Sequence, residues 1–568
     1  ATVLDGHPMA KNGQAGRAYG AAFTASVAGG LFGAFVLALT IPLLRPFMLS
    51  IGTPDLLAVC LLGLTLVVAL SHGALFKGIV AAALGLLLAT IGDEPQTGEL
   101  RWTFDMIYLW EGLPLVPLAL GLFAIPEIID LATSKKAIAE GSGKPKAWQQ
   151  LEGVRDVLKN WWLVLRCSSI GTVLGAIPGM GASVIDWVAY GYAARTEKGA
   201  AESFGKGDVR GVIASESSNN AKEGGALVPT LAFGVPGSAS MALLLGAFLI
   251  HGITPGPGML DKHLDMTFTL IWTVALANIL GAGACFMFAD KFAKIAGVRP
   301  GMLVPLVFGI MVVSAYQGSQ DYGDLLLLLA IGTLGWVMKR LGWPRPPLIL
   351  GFVLGGLVEN YLFISHLRYG VDWMLQPIPM VLFAVMALML FKPLVGRFMK
   401  NPAKGSDGMS VAGKASFGPH ARGGVLVADL TLWALVIAMM IYVIASSSPW
   451  ELSAKLLPQA VAVAGLIAAG FFGVFAVMGR IPPLKEMADA LPLSGTLVQA
   501  AWAVGLILAV PLIGMLPAMV LYVFAYMVLQ GETRPLKALI ITVLFSFATY
   551  GLFHMMLHVP WPQSYLGD

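Results

Sequence analysis

The sequence predicts an all-α protein that crosses a membrane many times, and two properties of the chain lead to this prediction. Of its 568 residues, 57% are hydrophobic and only 12% are charged, whereas a soluble domain carries about 25% charged residues. The apolar residues also form repeated long runs, and roughly 20 apolar residues are enough for a helix to cross about 30 Å of hydrocarbon. The small formal charge of +4 and the lack of a basic stripe argue against a nucleic-acid partner.

Uninterrupted apolar segments predict nine spans before a polar linker and five after it. They cover residues 19–44, 55–71, 73–92, 113–133, 267–288, 302–319, 324–339, 347–367 and 374–394, and then 430–446, 457–478, 497–512, 514–530 and 535–557. Residues 397–424 are rich in Gly, Ser and Lys, a composition that buries too little apolar surface to fold. We expect them to form a flexible cytoplasmic linker.

Two further apolar segments, between the fourth and fifth spans, are interrupted by Pro-Gly steps. Lys and Arg accumulate in the loops 135–159, 195–210, 291–299, 339–345 and 397–422, which the positive-inside rule places in the cytoplasm. Residues 161–194 must then begin and end on the cytoplasmic side, as a re-entrant hairpin with its tip at Pro178-Gly179-Met180-Gly181. Residues 224–251 must cross to the outside, with a break near 234–237.

The chain also resembles itself. Residues 51–73 are weakly similar to 296–318, and residues 4–9 to 250–259. The loop after Leu87 is acidic (Asp93, Glu94, Glu99), whereas its counterpart carries Lys339, Arg340 and Arg345, so equivalent loops face opposite sides of the membrane. This predicts an inverted-repeat secondary transporter. The remainder of the first repeat is expected in 1–133 and the second repeat in 134–396. After the second repeat we expect the linker, 397–424, and then a domain of four or five spans in 425–568.

The interruptions predict a binding site, because Pro and Gly free backbone groups that lipid cannot satisfy. Helices starting after Gly179 and Gly237 would point positive dipole ends at a carboxylate. The expected substrate-binding residues are Pro178, Gly179, Gly181, Ala182, Ser183, Pro236, Gly237 and Ser238. Asn219 and Asn220, at the mouth of the second segment, can offer amide oxygens to Na⁺. The alternative is that the glycines allow close helix contact and the asparagines cap a loop.

Several other polar residues have alternative interpretations. Asp186 in the hairpin should face a cavity or a partner, unless it is solvated near the cytoplasmic surface. Lys222 is expected to pair locally with Glu216 or Glu223. His554 and His558 lie one helical turn apart, but no acidic third ligand accompanies them, so no metal site is expected.

Five stretches resemble a known family, the tripartite tricarboxylate transporters. They are "GAIPGMGAS" (175–183), "ASESSNNAKEGGALVPTLAFGVPGSAS" (214–240), "HGITPGPGML" (251–260), "TVLDGHPMAKNGQAGRA" (2–18) and "GLLLATIGDEPQTGELRWTFD" (85–105). The similarity to the large membrane subunit covers residues 1–394, and residues from about 425 onward resemble the small membrane subunit more loosely. The resemblance implies multi-pass insertion in the bacterial inner membrane and uptake of carboxylates. It also implies that a periplasmic binding protein delivers the substrate and that an ion gradient drives uptake, with Na⁺ as the expected coupling ion. No covalently bound cofactor is expected.

One departure from the family pattern leaves alternatives open. In the family the first repeat has its own Pro-Gly hairpin and broken segment, and this sequence begins after them. A truncated record or a decayed gene would explain this, and we expect the chain not to transport alone. The alternatives are an intramembrane enzyme using Ser183, Asp186 or His251, and a non-transporting remnant or assembly protein. The particular carboxylate, H⁺ in place of Na⁺, and a homo-oligomeric state are also open.

Overall fold

The structure, a computed structural model, describes residues 1–48, 51–70, 75–134, 147–178, 182–289, 291, 298–399, 419–477, 493–562 and 564. In this part of the chain the protein is almost entirely helical, and every predicted span contains a helix. Eight of the described helices are long and apolar enough to cross a membrane by length and composition. The prediction of an all-α polytopic membrane protein is therefore confirmed.

The helices of the first 287 residues are the following. They are α1 (Val3–Lys11), α2 (Ala15–Met48), α3 (Thr53–Leu70), α4 (Leu75–Leu88), α5 (Leu115–Ala119), α6 (Ile125–Ser134), α7 (Ala147–Lys159), α8 (Trp161–Gly175), α9 (Ala182–Thr196), α10 (Ala200–Ser203), α11 (Val209–Phe233), α12 (Ala239–Ile250) and α13 (Leu264–Met287). A wider helical turn, Leu120–Ala124, joins α5 to α6. Two short strands, β1 (Gly92–Asp93) and β2 (Leu100–Arg101), pair antiparallel between α4 and α5.

The later helices complete the chain. They are α14 (Pro300–Tyr316), α15 (Gly323–Arg340), α16 (Pro346–Tyr369), α17 (Pro377–Met399), α18 (Pro419–Ser446), α19 (Leu452–Val477), α20 (Leu493–Ile513), α21 (Met515–Leu529) and α22 (Pro535–Thr549). Helices α17 and α18 occupy the two ends of the predicted linker, and its middle, 400–418, lies outside the described residues. A wide turn, Tyr550–Met556, ends α22, and His558 lies beyond it with φ +51°. His554 and His558, which the sequence placed one helical turn apart, therefore do not lie on the same helix.

The chain forms two compact units, each with its own core. The first comprises Ala1–Leu75, Ala139–Gly297 and Val353–Pro393, and the second comprises Phe76–Ile138, Val298–Phe352 and Leu394–Asp568. In the first unit α11 packs against α2, α8 and α9. In the second, α14 and α21 share a large apolar core in which Phe308 packs on Tyr522.

In the second unit, the apolar span of α18, Asp429–Ser446, is attached at both ends to residues far earlier in the chain. At one end, Asp429 Oδ1 accepts hydrogen bonds from Lys77 Nζ at 2.9 Å and from Trp343 Nε1 at 2.8 Å. Lys77 Nζ also donates to the carbonyl of Leu341 at 2.8 Å, and both charged side chains are over 90% buried. At the other end, Trp102 Nε1 donates to Ser446 Oγ at 3.0 Å. Both ends of this membrane-length apolar span are therefore held by directional bonds.

We expect removal of one charge from the Lys77–Asp429 pair to destabilise the protein strongly. Asp429→Asn or Lys77→Met leaves the partner charge buried, which typically costs about 3–5 kcal/mol. The double variant K77M/D429L removes both charges and should recover much of that loss. Thermal unfolding of the purified protein measures the difference.

The matched control is Asp261→Asn, which breaks the Arg45–Asp261 pair, whose side chains are 47% and 40% exposed. An exposed pair contributes about 0–1 kcal/mol, so this variant should unfold near the wild-type temperature. Equal losses in the single, double and control variants would contradict a role for the buried pair.

Candidate functional site

The first interrupted segment is a hairpin of two short helices. α8 and α9 have 15 residues each, so each is about 22 Å long and too short to cross about 30 Å of hydrocarbon. Near the start of α8, the Arg166 guanidinium forms an ion pair with Glu197, just past the end of α9. Arg166 Nη1 also bonds to the hydroxyl of Tyr192 at 3.3 Å. The chain therefore returns to the side from which it entered, as a re-entrant hairpin does.

The second interrupted segment begins earlier than the sequence suggested. α11 starts at Val209, where the Asp208 side chain accepts from the backbone N–H of Arg210 at 2.9 Å. Burial raises the pKa of the Asp208 carboxyl, but hydrogen bonds from Arg210 and Ser203 outweigh it, so the pKa lies below its ordinary value. The helix then runs unbroken to Phe233 and includes both asparagines. Asn219 and Asn220 therefore lie in the middle of a helix. They are neither at the mouth of the segment nor in a loop that they cap, which were the two positions considered from the sequence.

α11 remains helical despite its polar sequence because its neighbours approach it backbone to backbone. A Cβ added at Gly225 would lie 2.0 Å from the carbonyl oxygen of Thr172 in α8, and one at Gly33 in α2 would lie 2.6 Å from the carbonyl of Ala221. Only glycine fits such distances. The Thr172 hydroxyl also donates to the Ala221 carbonyl at 3.3 Å. Gly225 and Gly33 thus allow close contact between these helices.

The break itself lies between α11 and α12. Gly234 ends α11 with φ +68°, Pro236 and Gly237 are buried, and α12 starts at Ala239. Ser238 caps α12 by accepting from the N–H of Met241 at 3.2 Å. α9 starts at Ala182, so both helix starts agree with the sequence prediction.

The break after α11 contacts the first interrupted segment at the last residue of α8. A Cβ at Gly237 would lie 3.1 Å from the carbonyl oxygen of Gly175, the last residue of α8, and 3.1 Å from the Ala226 side chain. The break after α11 therefore folds back against the end of the first hairpin arm. Gly179 and Gly181 lie outside the described residues, as do the side chains of Ala182 and Ser183, whereas Pro178 is half-buried.

Two family profiles match separate parts of this chain. Residues 1–350 match the tripartite tricarboxylate transporter TctA family, and residues 423–562 match the tripartite tricarboxylate transporter TctB family. The chain belongs to the TctA family of tripartite tricarboxylate transporters. A TctB-family segment, the small-membrane-subunit-like domain expected from the sequence, is fused to its C-terminal side.

Two similar proteins from Agrobacterium vitis accompany these matches. An uncharacterised 52.8 kDa protein in the TAR-I ttuC' 3' region is 31% identical over 362 residues, which are 64% of this chain and 71% of the relative. An uncharacterised protein in the TAR-II ttuC' 3' region is 32% identical over 192 residues, or 34% of this chain and 79% of the relative. No solved structure matches the chain.

The two asparagines of this TctA-family chain have different surroundings. Asn220 Nδ2 donates to the carbonyl of Ser26 in α2 at 2.9 Å and to Asn278 Oδ1 in α13. Asn278 Nδ2 in turn donates to the Val274 carbonyl at 2.9 Å. Asn219 is half-buried, and its side chain makes no hydrogen bond to any described residue. Asn220 therefore joins three helices, while the Asn219 amide is available to a ligand.

Sequence reasoning missed two residues that organise this unit. Asn278 is an amide within the apolar segment "WTVALANILG", and an isolated polar residue in a span could have marked it as a helix-contact residue. Asp5 is fully buried and accepts from Tyr190 Oη at 2.9 Å and from the N–H groups of Gly207 and Asp208 at 2.8 and 2.9 Å. No local pattern shows that an exposed-looking "LDGHP" stretch reaches residues two hundred positions away.

Other charged or titratable residues singled out from the sequence have separate surroundings in the described structure. Lys222 pairs with Glu223, which confirms local pairing, and Glu216 accepts from Thr2 Oγ1 at 2.7 Å. Asp186 Oδ1 is buried and has no hydrogen-bond partner among the described residues. His251 is exposed at the end of α12, and no hydrogen bond in the described part of the chain links it to Asp186.

We expect Gly225→Ala to destabilise the TctA-family fold and Gly191→Ala not to. An added methyl at Gly225 would meet the Thr172 carbonyl at 2.0 Å, whereas nothing lies within 4 Å of one at Gly191. Overpacking costs about 1–3 kcal/mol, while Ala in a helix interior otherwise gains about 0.5–1 kcal/mol over Gly. The two variants should thus shift the unfolding temperature in opposite directions. A Gly225→Ala protein at least as stable as Gly191→Ala would show that α8 and α11 are not in close contact.

Proposed function

We propose that this chain is the membrane component of a secondary transporter that takes up tricarboxylates or related carboxylates. A periplasmic solute-binding protein delivers the substrate, and an ion gradient, with Na⁺ as the coupling ion, drives the symport. The protein resides in the bacterial inner membrane. The observation that supports this most is the contact of Gly237 with the end of α8, because it brings the two interrupted segments together.

The proposed carboxylate site uses the starts of α9 and α12. A helix N-terminus carries N–H groups without intrahelical partners and a partial positive charge, which suits an anion. Ser238 satisfies only the N–H of Met241, so the amides of Ala239 and Ser240 at the start of α12 remain for a substrate. Pro178, Gly179, Gly181, Ala182 and Ser183 would supply the hairpin side of the site, and Pro236, Gly237 and Ser238 the other side.

The proposed ion site uses the amide oxygens of α11. Na⁺ is a hard cation that prefers carbonyl and carboxylate oxygens. The NH₂ group of Asn220 donates hydrogen bonds to Ser26 and Asn278, so its side-chain carbonyl oxygen is left to bind a cation. Asn219, one position away, has its whole side-chain amide available.

The architecture proposed with this function is the inverted repeat of secondary transporters. The remainder of the first repeat would lie in 1–133 and the second repeat in 134–396. The second repeat contains both interrupted segments described above. In such transporters the substrate and ion sites lie where the repeats meet, near the middle of the bilayer.

Uptake by proteoliposomes or whole cells tests the function directly. The protein, expressed as its full-length product with its solute-binding protein, should accumulate labelled citrate or a labelled dicarboxylate under an imposed Na⁺ gradient. Omission of the binding protein or dissipation of the gradient should abolish accumulation, and a proton gradient of the same size should not replace it. Uptake that is indifferent to both the partner and the gradient would refute the proposal.

The two asparagines should respond differently to replacement. Asn219→Ala removes a free ligand, so we expect the Na⁺ concentration for half-maximal uptake to rise at least about tenfold, or about 1.4 kcal/mol, with unchanged thermal stability. Asn220→Ala also removes the bonds to α2 and α13 and should lower the unfolding temperature too. Unchanged Na⁺ dependence in the Asn219→Ala protein would exclude that residue from the ion site.

A further inference from the structure

The second unit contains a cavity whose lining includes none of the residues proposed above for the substrate or ion site. Its volume is about 350 Å³, and its walls come from α6, α14 and α15 on one side and α20 and α21 on the other. The first three helices belong to the TctA-family part of the chain, and the last two to the TctB-family part. Apolar side chains such as Ile129, Phe308 and Leu329 form most of the wall. The cavity therefore lies where the two family segments pack together.

The few polar groups in this wall have hydrogen-bonding capacity to spare. Trp336 Nε1 and Thr496 Oγ1 are both buried and have no hydrogen-bond partner among the described residues, and Thr496 as a whole residue is only 7% exposed. Gln499 uses its carbonyl oxygen to accept from Tyr526 Oη at 2.7 Å, so its NH₂ group is the part left for a ligand. An indole N–H and an amide NH₂ can only donate, and a hydroxyl can donate as well. The site therefore suits a ligand with an oxygen acceptor.

The depth of these donors in the membrane follows from neighbouring charges. Trp336 lies one turn before Lys339 and Arg340, which form ion pairs with Glu127 and Asp130 of α6 at 2.7 Å. Charged side chains at helix ends and nearby tryptophans mark the interface between hydrocarbon and headgroups. At that depth the commonest acceptors are the ester carbonyls of phospholipids, and their acyl chains extend from there into the hydrocarbon.

We propose that this cavity binds one acyl chain of a membrane phospholipid, whose ester carbonyl accepts hydrogen bonds from Trp336 and Thr496. Water at these polar groups would leave most of the cavity unfilled, because the rest of the wall is apolar and an apolar cavity stays dry. An acyl chain supplies apolar contacts along the whole wall and satisfies the buried donors with its carbonyl group. The lipid thus fills the junction between the TctA-family and TctB-family segments.

Photo-crosslinking with the full chain in vesicles tests this assignment. The probes are a phosphatidylethanolamine and a phosphatidylglycerol with a diazirine in one acyl chain, and, in a separate arm, a diazirine-bearing palmitate. We expect either phospholipid probe to label residues of α15 and α20 that line the cavity, with label sites mapped by mass spectrometry of peptides.

Ala503→Phe places a ring in the cavity, whereas Ala501→Phe makes the same change on an exposed face of the same helix. Labelling should fall at least about fivefold in the first variant and stay unchanged in the second. Thr496→Val keeps the side-chain shape, removes the hydroxyl and should also reduce labelling, which preserves the test if Ala503→Phe fails to fold. Equal labelling of wild type, Ala503→Phe and Thr496→Val would overturn the proposal. Labelling by the palmitate probe alone would overturn the assignment to phospholipid.

Discussion

The first unit depends on one packing constraint, the backbone-to-backbone contact of α11 with α2 and α8. A helix with "ASESSNNAKEGG" in its middle is too polar to lie in lipid alone, since unsatisfied polar groups there cost several kcal/mol. Glycines such as Gly33 and Gly225 let the neighbouring helices approach to distances that no side chain would permit. Hydroxyl groups on α8, among them Thr172, then bond to α11 carbonyls. Close contact thus makes a polar helix stable inside the membrane protein.

The position of the break follows from this contact. Because α11 is held along its length by α2 and α8, it can end at Gly234 and the chain can turn back beside the end of α8. Gly237 then touches Gly175, so one helix ends and another begins at the same place. The Asn220–Asn278 bond adds α13 to this arrangement. The proposed substrate and ion sites both depend on α11, which connects binding to the packing of the whole unit.

The second unit is held together by different interactions. The buried Lys77–Asp429 pair, with Trp343 as a second donor, links residues of the TctA-family part to the TctB-family part. Such a pair contributes directional specificity more than net stability, because desolvation offsets most of its attraction. The apolar core around Phe308 and Tyr522 supplies the bulk of the contact. The two family segments, which are fused in one chain, therefore also share one apolar core.

The sequence by itself determined the spans, the hairpin, the break near Gly234 and the family, because hydrophobic runs, charged loops and Pro-Gly steps act over neighbouring residues. It also placed the helix starts near Ala182 and Ala239 correctly. It misplaced Asn219 and Asn220, because a polar run is typical of a loop unless other helices cover it. It missed Asp5 and Asn278 and could not show the contact of Gly237 with Gly175. Only the tertiary structure decided those points, since each depends on residues that are distant in sequence and meet only when the helices pack.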